Sequence, residues 1–152
     1  MRDFENSEDS ANAEGDQWSN PEPDEIQDLL ERSKRVAVVG LSSDPSRASN
    51  GVAAYLLSQG FEIVPVNPKE TEALGFQAYP DLGSIPGKID IVDVFRRSEF
   101  APEIARQAIA IGAKAIWFQE GVISVEAFEL AKEAGLIVVM GRCMLKEHVR
   151  FS

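Results

Sequence analysis

The chain has 152 residues, 44% of them hydrophobic and 26% charged, which is typical of one globular domain. No apolar run approaches the roughly 20 residues of a membrane-spanning helix, and the single cysteine, Cys143, excludes an internal disulfide framework and favours a reducing, cytoplasmic compartment. The formal net charge of −10 argues against nucleic-acid binding.

The negative charge is concentrated near the N-terminus. Residues 1–31 hold 11 acidic residues and one basic residue, whereas residues 32–152 hold 14 of each and are neutral overall. We therefore expect an acidic, disordered leader at residues 1–22 and a single domain at residues 23–152. The composition of the leader excludes a secretory signal and favours a solvated tail over a partner-binding segment. Its Trp18 could dock on the domain or stay exposed.

The predicted elements alternate between helix and strand. A short helix begins near Asp24, where Ile26, Leu29 and Leu30 form one apolar stripe. The elements that follow are a strand at residues 35–40, a helix at 49–59, a strand at 61–66, a strand at 89–95, a helix at 102–111, a strand at 115–118, a helix at 124–134 and a strand at 136–140. Residues 69–88 are less regular, with a turn or short helix near Glu70 and an edge strand at 77–79.

Glycine residues at the ends of the predicted helices indicate the fold. Gly60, Gly112 and Gly135 each end a helix immediately before an apolar strand, as expected of repeated βα units. Short connections and right-handed crossovers then predict an α/β fold. We expect a Rossmann-like doubly wound sheet of about five mainly parallel strands with helices on both faces.

The loop after the first strand has the composition of a phosphate-binding corner. Gly40 allows close backbone approach, serine hydroxyls can donate to phosphate oxygens, and Arg47 offers a two-pronged charged contact. A helix N-terminus follows near Ser49 and would point its unpaired N–H groups at an anion. Ser42 and Pro45 replace two glycines of the dinucleotide fingerprint G-x-G-x-x-G, so NAD is not the first choice of ligand. An ordinary loop with a solvent-facing arginine is the alternative.

Polar and cationic residues also follow the other strands, at the edge where doubly wound sheets bind ligands. Asn67, Pro68 and Lys69 stand where an NAD-binding domain has an acidic residue for the ribose, although a simple X-Pro turn is equally possible. The further residues at strand ends are Arg96, Arg97, Gln119 and Gly121. Local positive charge on a neutral domain predicts a compact polyanion of nucleotide type as the ligand.

Five segments in this order resemble the small standalone CoA-binding domain proteins: VAVVGLSSDPSRASNG, PVNPK, VDVFRR, WFQEGV and GRCMLKEHVR. These proteins are similar to the N-terminal CoA-binding domain of the succinyl-CoA synthetase α subunit, and the resemblance covers about residues 30–150. It implies that the cofactor is coenzyme A or an acyl-CoA, with its pyrophosphate at the loop from Gly40 to Ser49. Family members often carry an acidic or amide residue where this chain has Gly141, which puts a polar role there in doubt.

The same resemblance implies the remaining contacts. Val66 and the three residues after it would surround the adenosine phosphate end, and Phe95 and Arg96 would lie beside the nucleotide. The complete set of candidate cofactor-binding residues is Gly40, Leu41, Ser42, Ser43, Pro45, Arg47, Ser49, Val66, Asn67, Pro68, Lys69, Phe95, Arg96, Gln119 and Gly121.

The sequence favours binding without catalysis. Succinyl-CoA synthetase transfers phosphate through a histidine in a second domain, whereas the lone histidine here is His148, near the C-terminus. Neither a catalytic residue nor a metal site is predicted, and the expected partner is a CoA-type small molecule, with no nucleic acid and no membrane. Two alternatives stay open: an NADP-type oxidoreductase, which Arg47 and Lys69 would suit, and an acyl-CoA enzyme using Cys143 and His148 as nucleophile and base.

Overall fold

The computed structural model describes residues 18–152, which form five α-helices, seven strands and two single-turn 3-10 helices at Leu82–Ser84 and Ser98–Phe100. The elements are α1 (Pro23–Arg32), β1 (Arg35–Val39), α2 (Ala48–Ser58), β2 (Glu62–Val66), β3 (Glu72–Ala73), β4 (Phe76–Gln77), β5 (Ile91–Val94), α3 (Ala101–Ala110), β6 (Ala115–Phe118), α4 (Val125–Glu133), β7 (Ile137–Val139) and α5 (Met144–Arg150). No helix of this part of the chain is long and apolar enough to cross a membrane.

The five longer strands form one parallel sheet in the order β2-β1-β5-β6-β7. From β1 the chain passes through α2 to β2 on one side, and from β5 it passes through α3 and α4 to β6 and β7 on the other. The Rossmann-like α/β prediction is confirmed. Because the strand order reverses between β1 and β5, a crevice opens at the carboxyl ends of these two strands.

Helices cover both faces of the sheet because successive strand side chains point to opposite sides. Val36 and Val38 of β1 belong to an apolar cluster with residues of α1, α2 and α5. Ala37 and Val39 of the same strand belong to a second cluster with residues of α3 and α4. The central strands are buried on both sides, which explains their nearly continuous apolar sequence, with Asp93 of β5 as the exception.

The segment between β2 and β5 differs from the expectation of an edge strand at residues 77–79. Instead, β3 and β4 form a short antiparallel hairpin, and only Tyr79 pairs with the main sheet, through one bridge to Val66. The hairpin turn consists of Leu74 and Gly75, which both have positive φ, at 54° and 84°. Such turns usually begin with Asn, Asp or Gly, so Leu74 gave no recognisable turn signal.

The end of the predicted leader is part of the folded domain. The ring of Trp18 lies 6.3 Å from that of Phe128. The Asn20 side chain donates to the carbonyl of Met140 (3.0 Å) and accepts from its N–H (2.7 Å). β7 is an edge strand of the sheet, so the backbone after it has no neighbouring strand on one side. The Asn20 amide pairs with this backbone at Met140. Trp18 and Asn20 of the predicted leader thus contact the domain, and residues 1–17 of the leader lie outside the described residues.

Candidate functional site

Three strand ends meet around Gly40 at the crevice. The Gly40 N–H donates to the Val66 carbonyl (2.7 Å), and the Phe95 N–H donates to the Val39 carbonyl (2.8 Å). Gly40 has a φ of +89°, and a Cβ there would lie 2.8 Å from the Phe95 carbonyl oxygen and 3.2 Å from Cδ of Arg96. Glycine is therefore required at this position by both conformation and space.

The loop from Gly40 to Arg47, called the crevice loop below, is anchored by buried polar residues of α2. The Ser49 hydroxyl accepts from the Ser42 N–H (3.0 Å), and the Asn50 side chain donates to the Ser42 carbonyl (2.9 Å). Ser49 was predicted as a ligand contact, whereas its observed contact shapes the loop. Asn50 was not predicted, and its only sequence signal is a polar residue within the apolar first turns of the helix.

The N-terminus of α2 opens on the crevice without a side-chain cap. Arg47 occupies the capping position in an extended conformation, and the first turn contains no acidic residue. By contrast, Ser124 caps α4 and a capping box from Glu22 and Glu25 closes the start of α1. The N-terminus of α2 thus offers unpaired backbone N–H groups and the positive end of the helix dipole. The exposed side chain of Arg47 lies beside it.

Two carboxylates bind the backbone of the crevice loop. The Ser43 N–H donates to Glu70 (2.8 Å), and the N–H and hydroxyl of Ser46 both donate to Asp44 (2.9 Å each). The Ser46 hydrogen bonds, backbone first, hold the pKa of Asp44 below its ordinary value. The loop therefore binds anionic groups of its own chain through backbone donors.

Asn67 joins the end of β2 to the crevice loop. Its side chain donates to the Leu41 carbonyl (3.1 Å) and accepts from the Lys69 N–H (2.9 Å). Leu41 is completely buried, so its role in the site is to hold the loop from below. Pro68 and Lys69 are exposed beside it.

The two arginines after β5 have different surroundings. The guanidinium of Arg96 lies 4.3 Å from the ring centre of Phe100 and is half-buried, which fixes it at the crevice. Arg97 is exposed, 5.5 Å from the same ring and 4.0 Å from Glu99. Phe100 was not predicted as part of the site.

A buried polar pair lies under the loop that follows β6. Gln119 donates through Nε2 to Asp93 Oδ1, and Asp93 is completely buried in β5. Burial raises the pKa of Asp93 to about 7, partly opposed by the hydrogen bond from Gln119. Gly121, exposed and with a φ of +85°, belongs to a turn closed by the Val122 N–H bonding to the Gln119 carbonyl (2.9 Å). The lone acid in an apolar strand was the overlooked signal for Asp93.

Cys143 and His148 do not form a catalytic pair. Cys143 is the N-cap of α5, at the carboxyl edge of the sheet. His148 lies farther along the helix, where Nδ1 hydrogen-bonds the Tyr55 hydroxyl (2.8 Å) and the ring packs on Phe61, just before β2. Five helical residues separate the two by about 7.5 Å along the axis and turn them to different faces. Between Trp18 and Ser152, no three His, Cys, Asp or Glu side chains form a group able to hold a metal ion.

The structure brings most of the predicted residues together at the carboxyl edge. Those joined by contacts around Gly40 are Leu41, Ser42, Ser49, Val66, Asn67, Phe95 and Arg96. Those exposed on the surrounding loops are Ser43, Pro45, Arg47, Pro68, Lys69 and Gly121. Gln119 lies two strands away from β1 and is linked to this group through the sheet.

Known proteins resemble this chain over most of its length. A family model described as a CoA binding domain matches residues 34–149. A Bacillus subtilis (strain 168) protein, named "Uncharacterized protein YneT", is 46% identical over 129 residues, which is 85% of this chain and 96% of that protein. A solved structure, described as a hypothetical protein from Pyrococcus horikoshii OT3, has a TM-score of 0.84 at 42% identity and covers 95% of this chain and 98% of its own.

A larger enzyme subunit contains a similar segment. The ADP-forming acetate–CoA ligase II subunit alpha of Pyrococcus furiosus is 30% identical over 101 residues. The match covers 66% of this chain and 21% of that subunit. The chain thus spans about a fifth of the length of this ligase subunit.

Proposed function

The chain belongs to the CoA-binding domain family, and from this premise we propose that it binds coenzyme A or an acyl-CoA and catalyses no reaction of its own. The observation that carries the proposal is the N-terminus of α2, which has no side-chain cap, with Arg47 at the N-cap position and the crevice loop beside it. A helix end of this kind favours a phosphate group, and coenzyme A carries a pyrophosphate and a further phosphate on its ribose.

In this proposal each part of the ligand has its own contacts. The pyrophosphate lies against the crevice loop and the start of α2, and the adenosine phosphate end lies near Lys69 and the residues from Val66. Arg96, held against Phe100, lies beside the nucleotide with Phe95. Gln119 and Gly121 border the path of the pantetheine arm. The charges of residues 32–152 cancel, so these cations would create a positive potential at the site only and not over the whole domain surface.

The proposal assigns no catalytic residue. His148 is bonded to Tyr55, away from the carboxyl edge, so an enzyme built on Cys143 would lack this histidine as its base. The half-buried free thiol of Cys143 fits a cytoplasmic protein. An NADP-type oxidoreductase is the competing function, because Arg47 and Lys69 would also suit the extra phosphate of NADP.

Thermal unfolding with CoA, acetyl-CoA, NAD and NADP at matched concentrations tests the proposal. A ligand present at about 100 times its Kd stabilises the folded state by about 2.7 kcal/mol. We expect a rise in Tm with CoA and acetyl-CoA. A rise with NADP and none with either CoA compound would refute the proposal.

Two variants that each remove one positive charge locate the site. Arg47→Ala removes a charged phosphate contact and should weaken CoA binding by about 10- to 100-fold. Arg32→Ala is the matched control, because Arg32 is exposed at the end of α1, paired with Asp28 at 2.7 Å and next to the amino end of β1. Equal affinities of the two variants for CoA, measured by isothermal titration calorimetry, would show that the phosphate site lies elsewhere.

A further inference from the structure

We propose that Asp93 is a positioning residue, which orients the Gln119 side-chain amide so that its carbonyl oxygen accepts a hydrogen bond from an amide N–H of the pantetheine arm. This inference rests on the proposed function and adds to it the group that recognises the arm. It accounts for an acidic residue at a place in the fold where an apolar one would be expected.

The position of Asp93 is unfavourable for a carboxyl group. It lies in β5 between Val38 of β1 and Trp117 of β6, and all three side chains point to the face covered by α1, α2 and α5. The exposed fraction of Asp93 is 0%, and its Oδ2 atom has no hydrogen-bond partner among the described residues. Burying such a group is costly, and an apolar residue would serve packing better. A structural role alone therefore does not explain it.

The partner of Asp93, Gln119, directly follows the carboxyl end of β6. Gln119 Nε2 donates to Asp93 Oδ1, so the amide oxygen Oε1 points elsewhere. Within residues 18–152, the buried side-chain oxygens and nitrogens without a partner are Asp93 Oδ2 and Glu147 Oε1. Gln119 Oε1 is not one of them, and no donor to it is found among the described residues. A carboxylate accepts but does not donate, which decides the orientation of the amide.

The separation of Gln119 from the phosphate site fits the pantetheine arm. Gln119 follows β6, two strands from β1 in the sheet, which corresponds to about 10 Å. The arm runs through about nine bonds from its phosphate ester oxygen to its second amide nitrogen, and a polypeptide of equal bond count extends over about 10 Å. An acceptor at Gln119 would therefore meet the second amide N–H of an extended arm.

Protonation of Asp93 would reverse this arrangement. A protonated Oδ2 can donate to Gln119 Oε1 while Oδ1 still accepts from Nε2, and the acceptor offered to the ligand is lost. Burial, opposed in part by the Gln119 bond, raises the pKa of Asp93 to about 7, and no charged group contributes to this shift. The ionisable groups on the elements around this face are Asp24, Glu25, Asp28, Glu31 and Arg32 on α1, Arg35 on β1, Arg47 and Tyr55 at α2, and Cys143, Lys146, Glu147, His148 and Arg150 at α5.

The test compares CoA with adenosine 3′,5′-bisphosphate, which has the nucleotide end but no arm. Calorimetry at pH 6 and pH 8 gives the ratio of the two dissociation constants for the wild-type protein and for Asp93→Asn. We expect the wild-type preference for CoA to be several-fold greater at pH 8. In Asp93→Asn the preference should fall by about 10-fold at pH 8 and no longer depend on pH, as expected for one lost hydrogen bond. An unchanged ratio with an unchanged pH dependence would overturn the inference.

Gln119→Met provides a second variant, which keeps the Asp93 carboxyl and removes its hydrogen-bond donor. It removes the amide at nearly constant length, so it should reduce the preference for CoA and leave the affinity for the bisphosphate unchanged. Equal losses for both ligands in this variant would mean that the pair only supports the structure, and the inference would fail while the proposed function stood. Failure of the wild-type protein to bind either ligand would instead refute the proposed function.

Discussion

The buried carboxyl of Asp93 should leave a distinct mark on the pH dependence of stability. Burial raises its pKa from 3.8 to about 7 in the folded protein. Because the folded state then holds the proton more tightly than the unfolded state, the stabilisation is complete below pH 3.8 and is lost as the pH rises to 7. Each pH unit well inside this window corresponds to about 1.4 kcal/mol, and the slope falls off near the folded pKa, so between pH 5 and pH 7 the group should lower the free energy of unfolding by about 2 kcal/mol.

Urea unfolding of the wild-type protein and of Asp93→Asn at pH 5, 6, 7 and 8 measures this contribution of Asp93 to the free energy of unfolding. The variant keeps the shape of the side chain and cannot ionise, so subtracting its profile removes the contribution of all other titrating groups. The difference in unfolding free energy should shift steadily in favour of the variant up to pH 7 and then level off. Parallel profiles would refute the reasoning, because they would mean that Asp93 ionises as easily in the folded protein as in the unfolded chain.

Three further substitutions test the contacts that form the site and its border. Gly40→Ala places a methyl group 2.8 Å from a backbone carbonyl at positive φ, and thermal unfolding should show a loss of about 2 kcal/mol or more. Gly51→Ala, where no atom lies within 4 Å of the new Cβ, is the control and should stabilise α2 by about 0.5–1 kcal/mol; equal effects would contradict the close approach at Gly40. Glu70→Gln keeps the hydrogen bond to the crevice loop and removes a negative charge, so calorimetry should show CoA binding a few-fold more tightly, with weaker binding as the contrary result. Asn20→Ala removes two hydrogen bonds to Met140, so urea unfolding should show a loss of about 1–3 kcal/mol, and an unaltered midpoint would show that residues 18–22 contribute nothing to the folded domain.

Local signals identified the main elements because each depends on neighbours in the chain. The apolar run of β1, the helix-ending Gly60 and the stripe of Ile26, Leu29 and Leu30 in α1 reflect strand burial, helix capping and helical period. The prediction failed where the signal was weak. Leu74 occupies a left-handed turn position that usually takes Asn, Asp or Gly, so the hairpin of β3 and β4 was missed.

The candidate site was predictable in its location and not in its internal bonding. Arg47, Lys69 and Arg96 follow strands, and the carboxyl ends of parallel strands meet at one edge, so their shared position followed from the fold class. The hydrogen bonds of Asn50 to the crevice loop and of Asn20 to Met140, just after β7, join residues from different parts of the fold. No spacing in the chain encodes such pairs.

The amino-acid sequence by itself determined the α/β class, the family resemblance and the edge of the sheet where charge gathers, because these follow from periodicity, glycine positions and short motifs. Only the tertiary structure decided what each polar group does. It showed Ser49 anchoring a loop, His148 bonded to Tyr55 far from Cys143, and Asp93 buried beneath Gln119. The physical reason is that burial and hydrogen bonding depend on which elements pack together, and strands distant in the chain become neighbours only when the sheet is assembled.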